Sequence, residues 1–203
     1  MMDLPPTLPP NLPPSTQYVI MFDASKPAST NRLAVLDLRG PAPTVVLRST
    51  AAVGSGSDRN KDGLAEAFGN DQNSHMTSLG LYRIGPSYTG KYGTSYLLDG
   101  LDPTNSNARA RSVVLHPAPY VTPNGAGRSW GCPAVSQQTM DTLRSKGVLG
   151  ANTYLVIYTP STTTNWTAFH KESTPTQQEH PWISTSTTYA AAPKTAAMMS
   201  PMR

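Results

Sequence analysis

Cys132 lies in the segment GRSWGCPAV (127–135) and is the only cysteine in a chain of 203 residues. A thiol becomes a nucleophile when an imidazole, a positive charge or a helix N-terminus lowers its pKa. The sequence offers all three, because His116 lies 16 positions upstream, Arg128 lies four positions upstream, and a predicted helix follows. A strand and loop of this length can bring the imidazole to face the thiol. We therefore predict that Cys132 is a nucleophile.

Other chemistries fit these residues less well. A lone cysteine is often a small buried hydrophobe, but this loop holds no apolar run to bury, and its glycines and proline indicate a shaped backbone. Zinc is not predicted, since one cysteine and four scattered histidines (His75, His116, His170, His180) give no paired spacing. A Ser-His-Asp enzyme lacks the G-x-S-x-G elbow. We expect no metal and no cofactor.

The elements that must position these residues are predominantly strands. Short runs of β-branched and aromatic residues are separated by Gly, Pro, Asn and Asp, and NRLAVLDLR (31–39) alternates between two faces. The seven predicted strands lie within residues 16–23, 31–39, 44–53, 79–85, 92–101, 111–118 and 152–160. This pattern predicts a mainly β fold, either a β-sandwich or a partly closed barrel.

One or two short helices complete the prediction. Ser136 is a good N-cap for SQQTMDTLRSKG, and Gly147 is a good residue to end it. Cys132 would then lie in a strand-to-helix loop, just upstream of a helix N-terminus. A second short helix is predicted over LAEAF, from Leu64 to Phe68.

The chain divides into three predicted parts. Residues 1–16 form a Pro-rich leader with a repeated Pro-Pro pair, residues 17–160 form the folded domain, and residues 161–203 form a Ser/Thr/Pro-rich C-terminal extension. No stretch approaches the ~18 apolar residues of a membrane span. The N-terminus also lacks the charged and apolar regions of a signal peptide.

Composition excludes some partners. The net charge is +4, and the Lys and Arg residues are scattered, with no basic run and no interleaved aromatic residues. Nucleic acid is therefore not a predicted partner. A single cysteine cannot form an intrachain disulfide, so stability must come from packing.

The cysteine loop also resembles a known family. His116, followed later by Ser129-Trp130-Gly131-Cys132, is similar to the L,D-transpeptidase pattern of a histidine followed by Ser-His-Gly-Cys, with Trp130 in place of the second histidine. GRSxGCPA resembles the branch called murein L,D-transpeptidase catalytic domain family 2, a YkuD-like group. The likeness spans residues 17–159 and includes NSHMTSLGLYRIG (73–85), YTGKYGTSYLLDGLD (88–102) and NSNARARSVVLHPAPYV (105–121).

This resemblance implies a mostly β fold and a peptidoglycan substrate. In such enzymes the cysteine attacks the carbonyl at the L-centre of meso-diaminopimelate in a stem tetrapeptide, D-Ala leaves, and an amine of a neighbouring stem resolves the thioester. Carried over by position, Cys132 is the nucleophile and His116 is the base. The N–H groups of Gly131 and Cys132 would hold the oxyanion.

Four further residues are predicted to contact the substrate. Arg128 is our own candidate for binding a substrate carboxylate, although a solvated loop charge would also explain it. Ser129 and Trp130 belong to the same loop. Tyr92 lies in a matching motif and is expected to line a groove, although strand packing explains it equally well.

The same residues are compatible with three further functions. An L,D-carboxypeptidase would form the same thioester and use water as the acceptor. A secreted toxin would attack the wall of a neighbouring cell, and a wall-binding module would keep the fold without catalysis. A peptidoglycan substrate would place the protein in the cell envelope (periplasm) or outside the cell.

Overall fold

The computed structural model describes residues 8–163. Its strands are β1 (Tyr18–Asp23), β2 (Leu33–Asp37), β3 (Thr44–Ser49), β4 (Val53–Gly54), β5 (Gly80–Gly90), β6 (Gly93–Gly100), β7 (Val114–Pro117), β8 (Val121–Thr122), β9 (Gly125–Ala126), β10 (Arg128–Ser129), β11 (Ala134–Val135) and β12 (Thr153–Tyr158). The helices are α1 (Gln137–Ser145), α2 (Pro160–Thr163) and a 3-10 turn (Pro103–Asn105). The first part of the leader and nearly all of the C-terminal extension lie outside the described residues.

Eight of these strands form one sheet, in the order β11-β7-β6-β5-β12-β1-β2-β3. The pairs β1–β12 and β7–β11 are parallel, whereas the other neighbours run antiparallel. Just beyond β3, the N–H of Ala52 donates to the carbonyl of Ala134 in β11 at 2.8 Å. The two sheet edges therefore meet, and the predicted mainly β, partly closed barrel is confirmed.

The core lies on both faces of the central strands. Every residue of β1 is buried. Ile20 and Phe22 pack into the larger apolar cluster, while Val19 and Met21 pack into a second cluster on the opposite face. Leu8 of the leader contacts this second cluster. Burial of each such large side chain contributes about 1.5–3 kcal/mol, so the middle of the sheet is a rigid base for the loops at its edges.

The predicted helix after the cysteine loop is confirmed as α1. Ser136 is its N-cap, and its hydroxyl accepts a hydrogen bond from the N–H of Thr139 at 3.1 Å. Met140 and Leu143 face the core, as their spacing predicts. Gly147, with a φ of 65°, lies just past the end of the helix in the left-handed conformation that glycine tolerates.

The predicted helix over Leu64–Phe68 is wrong. This segment is irregular, and the N–H groups of Glu66 and Ala67 donate to the carbonyl of Ser57 instead of to a helical turn. Here the backbone N–H groups have an acceptor outside the segment, which replaces the local acceptors of a helical turn. The second short helix is α2, at the end of the domain. Among residues 8–163, no helix is both long and apolar enough to cross a membrane.

Candidate active site

Cys132 lies in a short connection between two strands of different sheets. β10 pairs in parallel with β4, and β11 pairs in parallel with β7, so both ends of the four-residue connection are fixed. Ala134 of β11 is the register partner of His116 in β7. The backbone N–H of His116 also reaches the carbonyl of Pro133 at 3.4 Å. His116 therefore lies in β7 and Cys132 lies two residues before the adjacent strand β11, at one edge of the sheet.

Ser129 and Gly131 shape the loop from within. The Ser129 hydroxyl donates to the Cys132 carbonyl at 2.6 Å and accepts from the Gly131 N–H at 3.1 Å. Gly131 has a φ of 112°, and a Cβ placed on it would lie 2.8 Å from the carbonyl oxygen of Met76. Ser129 is thus buried, and its hydroxyl stabilises the conformation of the loop. Among the described residues the Cys132 N–H makes no hydrogen bond, which leaves it as the open donor of the predicted oxyanion pair.

The thiol lies against the backbone that leads into β7. The Val114 N–H donates to Sγ at 3.4 Å, and Sγ approaches the Ser112 carbonyl at 3.8 Å. Burial raises the pKa of the Cys132 thiol, and the Val114 N–H and the Arg111 guanidinium oppose that rise in part. The thiol is therefore protonated at rest, and a base must remove its proton for attack.

The His116 imidazole has one of its two ring nitrogens hydrogen-bonded. Its Nδ1 lies 2.9 Å from the carbonyl of Pro117, which can only accept, so Nδ1 carries the proton and Nε2 keeps a free lone pair. Burial lowers the pKa of His116, and the Pro117 carbonyl opposes this. The imidazole is accordingly neutral near pH 7, as a general base requires.

Two tyrosines lie near the imidazole, and one of them, Tyr92, contacts it. Tyr92, in the two-residue turn between β5 and β6, stacks on His116 with 6.4 Å between ring centroids. Tyr120 meets Tyr92 edge-on, with 6.3 Å between centroids. Burial, together with the nearby Cys132 and Tyr92, raises the pKa of Tyr120 to about 12, so the phenol keeps its proton. Together the two rings form an aromatic wall beside the base.

Comparison with known proteins now identifies the fold and the family. A profile of the L,D-transpeptidase catalytic domain matches residues 11–158. The chain belongs to this family. Among curated proteins, none matches the chain.

The chain is also similar to several solved structures. Bd1075 of Bdellovibrio bacteriovorus is 16% identical with a TM-score of 0.45, and the alignment covers 74% of this chain and 53% of that one. An L,D-transpeptidase of Xylanimonas cellulosilytica is 16% identical with a TM-score of 0.43, covering 70% of this chain and 61% of that one. An L,D-transpeptidase of Mycobacterium smegmatis is 12% identical with a TM-score of 0.42, covering 70% and 58%. The chain thus spans about half to three-fifths of these chains.

Within this L,D-transpeptidase domain, Arg128 and Trp130 both precede Cys132 but have different surroundings. Trp130 is 78% exposed, and one face of its indole stacks on His75 with 5.0 Å between centroids. Arg128 donates from Nη1 to the carbonyl of Asp58 at 2.9 Å and lines a cavity of about 490 Å³ that Tyr120 also lines. The Arg128 guanidinium is therefore hydrogen-bonded to the protein through Nη1 and lies beside this cavity.

Sequence reasoning missed Arg111 and Tyr120. Arg111 lies in the motif NSNARARSVVLHPAPYV, and its guanidinium donates to the Met76 carbonyl and to the Ser78 hydroxyl, both at 2.6 Å. This cation is close enough to lower the pKa of Cys132, whereas its neighbour Arg109 pairs with Asp99 at the surface. The sequence shows only that Arg111 lies five residues before His116. The fold is what brings its guanidinium close to the L,D-transpeptidase cysteine loop.

Proposed function

We propose that the chain is a cysteine-dependent L,D-transpeptidase that acts on peptidoglycan stem peptides through a thioester acyl-enzyme. The observation that carries this proposal is the placement of Cys132 beside β7, the strand that holds His116 with Nδ1 committed to the Pro117 carbonyl. Family membership supports the same reaction class. No part of this chemistry needs a metal or a cofactor.

Acylation begins from a neutral thiol and a neutral imidazole. Nε2 of His116 takes the proton from Sγ of Cys132 as the sulfur attacks the donor carbonyl at the L-centre of meso-diaminopimelate. The carbonyl oxygen becomes an oxyanion, for which the Cys132 N–H is the available donor. The Gly131 N–H joins it if the carbonyl displaces Ser129 Oγ as acceptor.

The tetrahedral intermediate then collapses to the thioester. The bond from the carbonyl carbon to the D-Ala nitrogen breaks, and the imidazolium of His116 returns its proton to that nitrogen. An acceptor amine attacks the thioester, gives a proton to Nε2, and displaces the sulfur, which recovers a proton as the thiol. With one imidazole and Trp130 at the second histidine position, His116 performs every proton transfer.

We propose that Arg128 and the two tyrosines contribute to substrate binding. The half-buried Arg128 borders the cavity, where its remaining N–H groups are available to a substrate carboxylate. The Tyr92–Tyr120 wall flanks the base and limits water near the thioester. Such a substrate implies a location in the cell envelope (periplasm) or outside the cell.

Intact-mass analysis after incubation with a carbapenem tests the nucleophile. We expect one adduct on the wild-type chain and none on Cys132→Ala, whereas Ser112→Ala, which leaves the thiol in place, keeps the adduct. An adduct on Cys132→Ala would overturn the assignment. Circular dichroism of both variants controls for folding.

Mass spectrometry of stem peptides then tests the acceptor. With tetrapeptide donors, 3–3 crosslinked dimers are expected. Tripeptides alone would instead assign an L,D-carboxypeptidase, and neither product would assign a wall-binding module. His116→Gln should abolish both the dimers and the carbapenem adduct, since no second imidazole replaces it.

A further inference from the structure

A loop that borders the cavity beside Arg128 gathers three carboxylates. It follows β4 and carries the sequence DRNKDGLAE, residues 58–66. One carboxylate oxygen from each of Asp58, Asp62 and Glu66 lies within 4.8 Å of the others. Like charges this close destabilise one another unless a cation or a proton lies between them. The loop therefore favours a positive charge at its centre.

Asp58 shows that this positive charge belongs on the inner side of the loop. Its residue is 3% exposed, and its Oδ1 has no hydrogen-bond partner among residues 8–163. Buried carboxylate oxygens are almost always hydrogen-bonded or bound to a metal, because an unpartnered one loses its hydration without compensation. A bound ion would supply the partner that Oδ1 lacks.

Arg32 does not account for the cluster. Burial lowers the pKa of this guanidinium to about 10, and the charges of Asp58 and Asp23 oppose that effect. Nε donates to the Ala51 carbonyl at 2.6 Å, and Nη1 donates to the Lys26 carbonyl at 2.9 Å. Nη2 of Arg32, like Oδ1 of Asp58, is buried without a hydrogen-bond partner among residues 8–163, so these two atoms do not bond to each other. Arg32 thus supplies one positive charge near Asp58 and Asp23, against three carboxylates in the loop.

The sequence of the loop indicates which ion fits. Asp58-x-Asn60-x-Asp62-Gly63 has the spacing of the first six positions of an EF-hand calcium loop, D-x-[DN]-x-[DN]-G. Gly63 has a φ of 86°, the left-handed turn that the sixth position requires. The next ligands in that pattern would be the carbonyl at position seven and the side chain at position nine, which is Glu66.

The donor set also excludes softer metals. Every candidate ligand is an oxygen from a carboxylate, an amide or a carbonyl, which suits a hard cation and not zinc. The loop lacks the flanking helices of an EF-hand, and Gly69 replaces the glutamate of position twelve. Calcium tolerates such irregular, flexible coordination, whereas magnesium demands near-ideal octahedral geometry.

We propose that residues 58–66 form a calcium-binding site in which Asp58, Asp62 and Glu66 are the carboxylate ligands. The site is connected to the cysteine loop, because the carbonyl of Asp58 accepts a hydrogen bond from Arg128 at the start of β10, and Asp58 and Asp62 line the same cavity as Arg128. Bound calcium would hold this loop, and with it Arg128, in one conformation. The proposal does not depend on the transpeptidase reaction.

Thermal unfolding and calorimetric titration with calcium chloride test the site, after chelator treatment of the full chain. We expect calcium to raise the Tm of the wild type, because an ion that binds only the folded chain stabilises it. Asp62→Asn and Glu66→Gln should each weaken calcium binding by about tenfold or more through the loss of one charged ligand. Asp71→Asn, an exposed carboxylate outside the cluster, is the matched control and should bind as the wild type does.

Three results would overturn the proposal. The first is a folded wild-type chain that shows no calcium-dependent heat or Tm shift at millimolar calcium. The second is undiminished binding in both Asp62→Asn and Glu66→Gln. The third is an equal Tm shift from lysine or diaminopimelate with none from calcium, which would assign the carboxylates to an ammonium group. Terbium luminescence on the folded variants gives the same comparison where a substitution lowers Tm.

Discussion

The ring of Tyr92 lies over the imidazole of His116, with 20° between the two planes. The tyrosine comes from the β5–β6 turn, and the histidine comes from β7. At the edge of the imidazole, Nδ1 is hydrogen-bonded to the carbonyl of Pro117. The orientation of the base is therefore set jointly by its own strand and by a neighbouring hairpin, which makes Tyr92 a positioning residue.

Removing the Tyr92 ring should slow acylation without unfolding the domain. We expect Tyr92→Ala to reduce the rate of carbapenem acylation about tenfold, since a misoriented base loses part of its reach. Tyr92→Phe keeps the ring and should keep most of the rate. Stopped-flow kinetics give the comparison, with Tyr88→Ala on the same hairpin as the control. Equal rates in Tyr92→Ala and Tyr88→Ala would contradict this role.

Arg111 should contribute to both stability and thiol reactivity. Arg111→Ala removes charged hydrogen bonds to the Met76 carbonyl and the Ser78 hydroxyl, and we expect a loss of about 2 kcal/mol in unfolding free energy. It also removes a charge that lowers the pKa of Cys132, so alkylation by iodoacetamide at fixed pH should slow. Chemical denaturation and alkylation rates measure the two effects.

The control for Arg111 is its neighbour Arg109. That side chain is exposed and pairs with Asp99 at the surface, where an ion pair is worth about 0–1 kcal/mol. Arg109→Ala should change neither thiol reactivity nor stability by much. A matching fall in alkylation rate for both variants would show that general surface charge, rather than the position of Arg111, governs the thiol.

Gly131 should tolerate no side chain. Gly131→Ala forces a Cβ to within 2.8 Å of the Met76 carbonyl at a φ of 112°, so the cysteine loop must move. We expect a loss of several kcal/mol in stability, or of the carbapenem adduct, from combined strain and overpacking. Gly147→Ala has a positive φ but no atom within 4 Å and should cost only about 1 kcal/mol. An equal loss of thermal stability in Gly131→Ala and Gly147→Ala would show that the close approach of Gly131 to Met76 is not the cause.

Acid should weaken both the reaction and the fold through His116. Its pKa lies below the ordinary 6.5 because of burial, so the unfolded chain binds this proton more readily than the folded chain does. Stability from this group is present above about pH 6.5 and is lost as pH falls through the lowered folded value. The rate of acylation should fall over the same pH range, because only the neutral imidazole accepts the thiol proton.

A pH series of urea denaturation, paired with carbapenem acylation rates, measures this dependence. His116→Gln should remove this loss of stability at low pH. Burial of the Cys132 thiol has the opposite sign, since its raised pKa removes stability as pH rises above the ordinary 9.0. An acid limb of acylation centred above pH 6.5 would contradict the burial of His116.

The strands were predictable because their signal is local. Alternation and β-branched runs identified the seven long strands, and the N-cap Ser136 identified the start of α1. The failed helix at Leu64–Phe68 shows the limit, since its N–H groups have a more distant acceptor in Ser57. No local pattern encodes that acceptor.

The candidate site residues that the sequence predicts are those with recognisable chemistry, and their roles stay predictions. Cys132 and His116 stand out by residue type and spacing. Arg111 and Tyr120 carry no such mark, because their proximity to the thiol arises from packing of separate loops. Ser129 shows the reverse case, in which a residue of the motif turns its hydroxyl inward onto its own loop.

The contact between Ala52 and Ala134 gives the barrel a seam, and Cys132 lies two residues from it. Opening of that seam would leave the first residue of β11 paired only with His116 of β7. The lifetime of one backbone hydrogen bond thus sets how long β11 is held from both sides. Amide hydrogen exchange at Ala52 reads that lifetime directly, at a residue with no part in the chemistry.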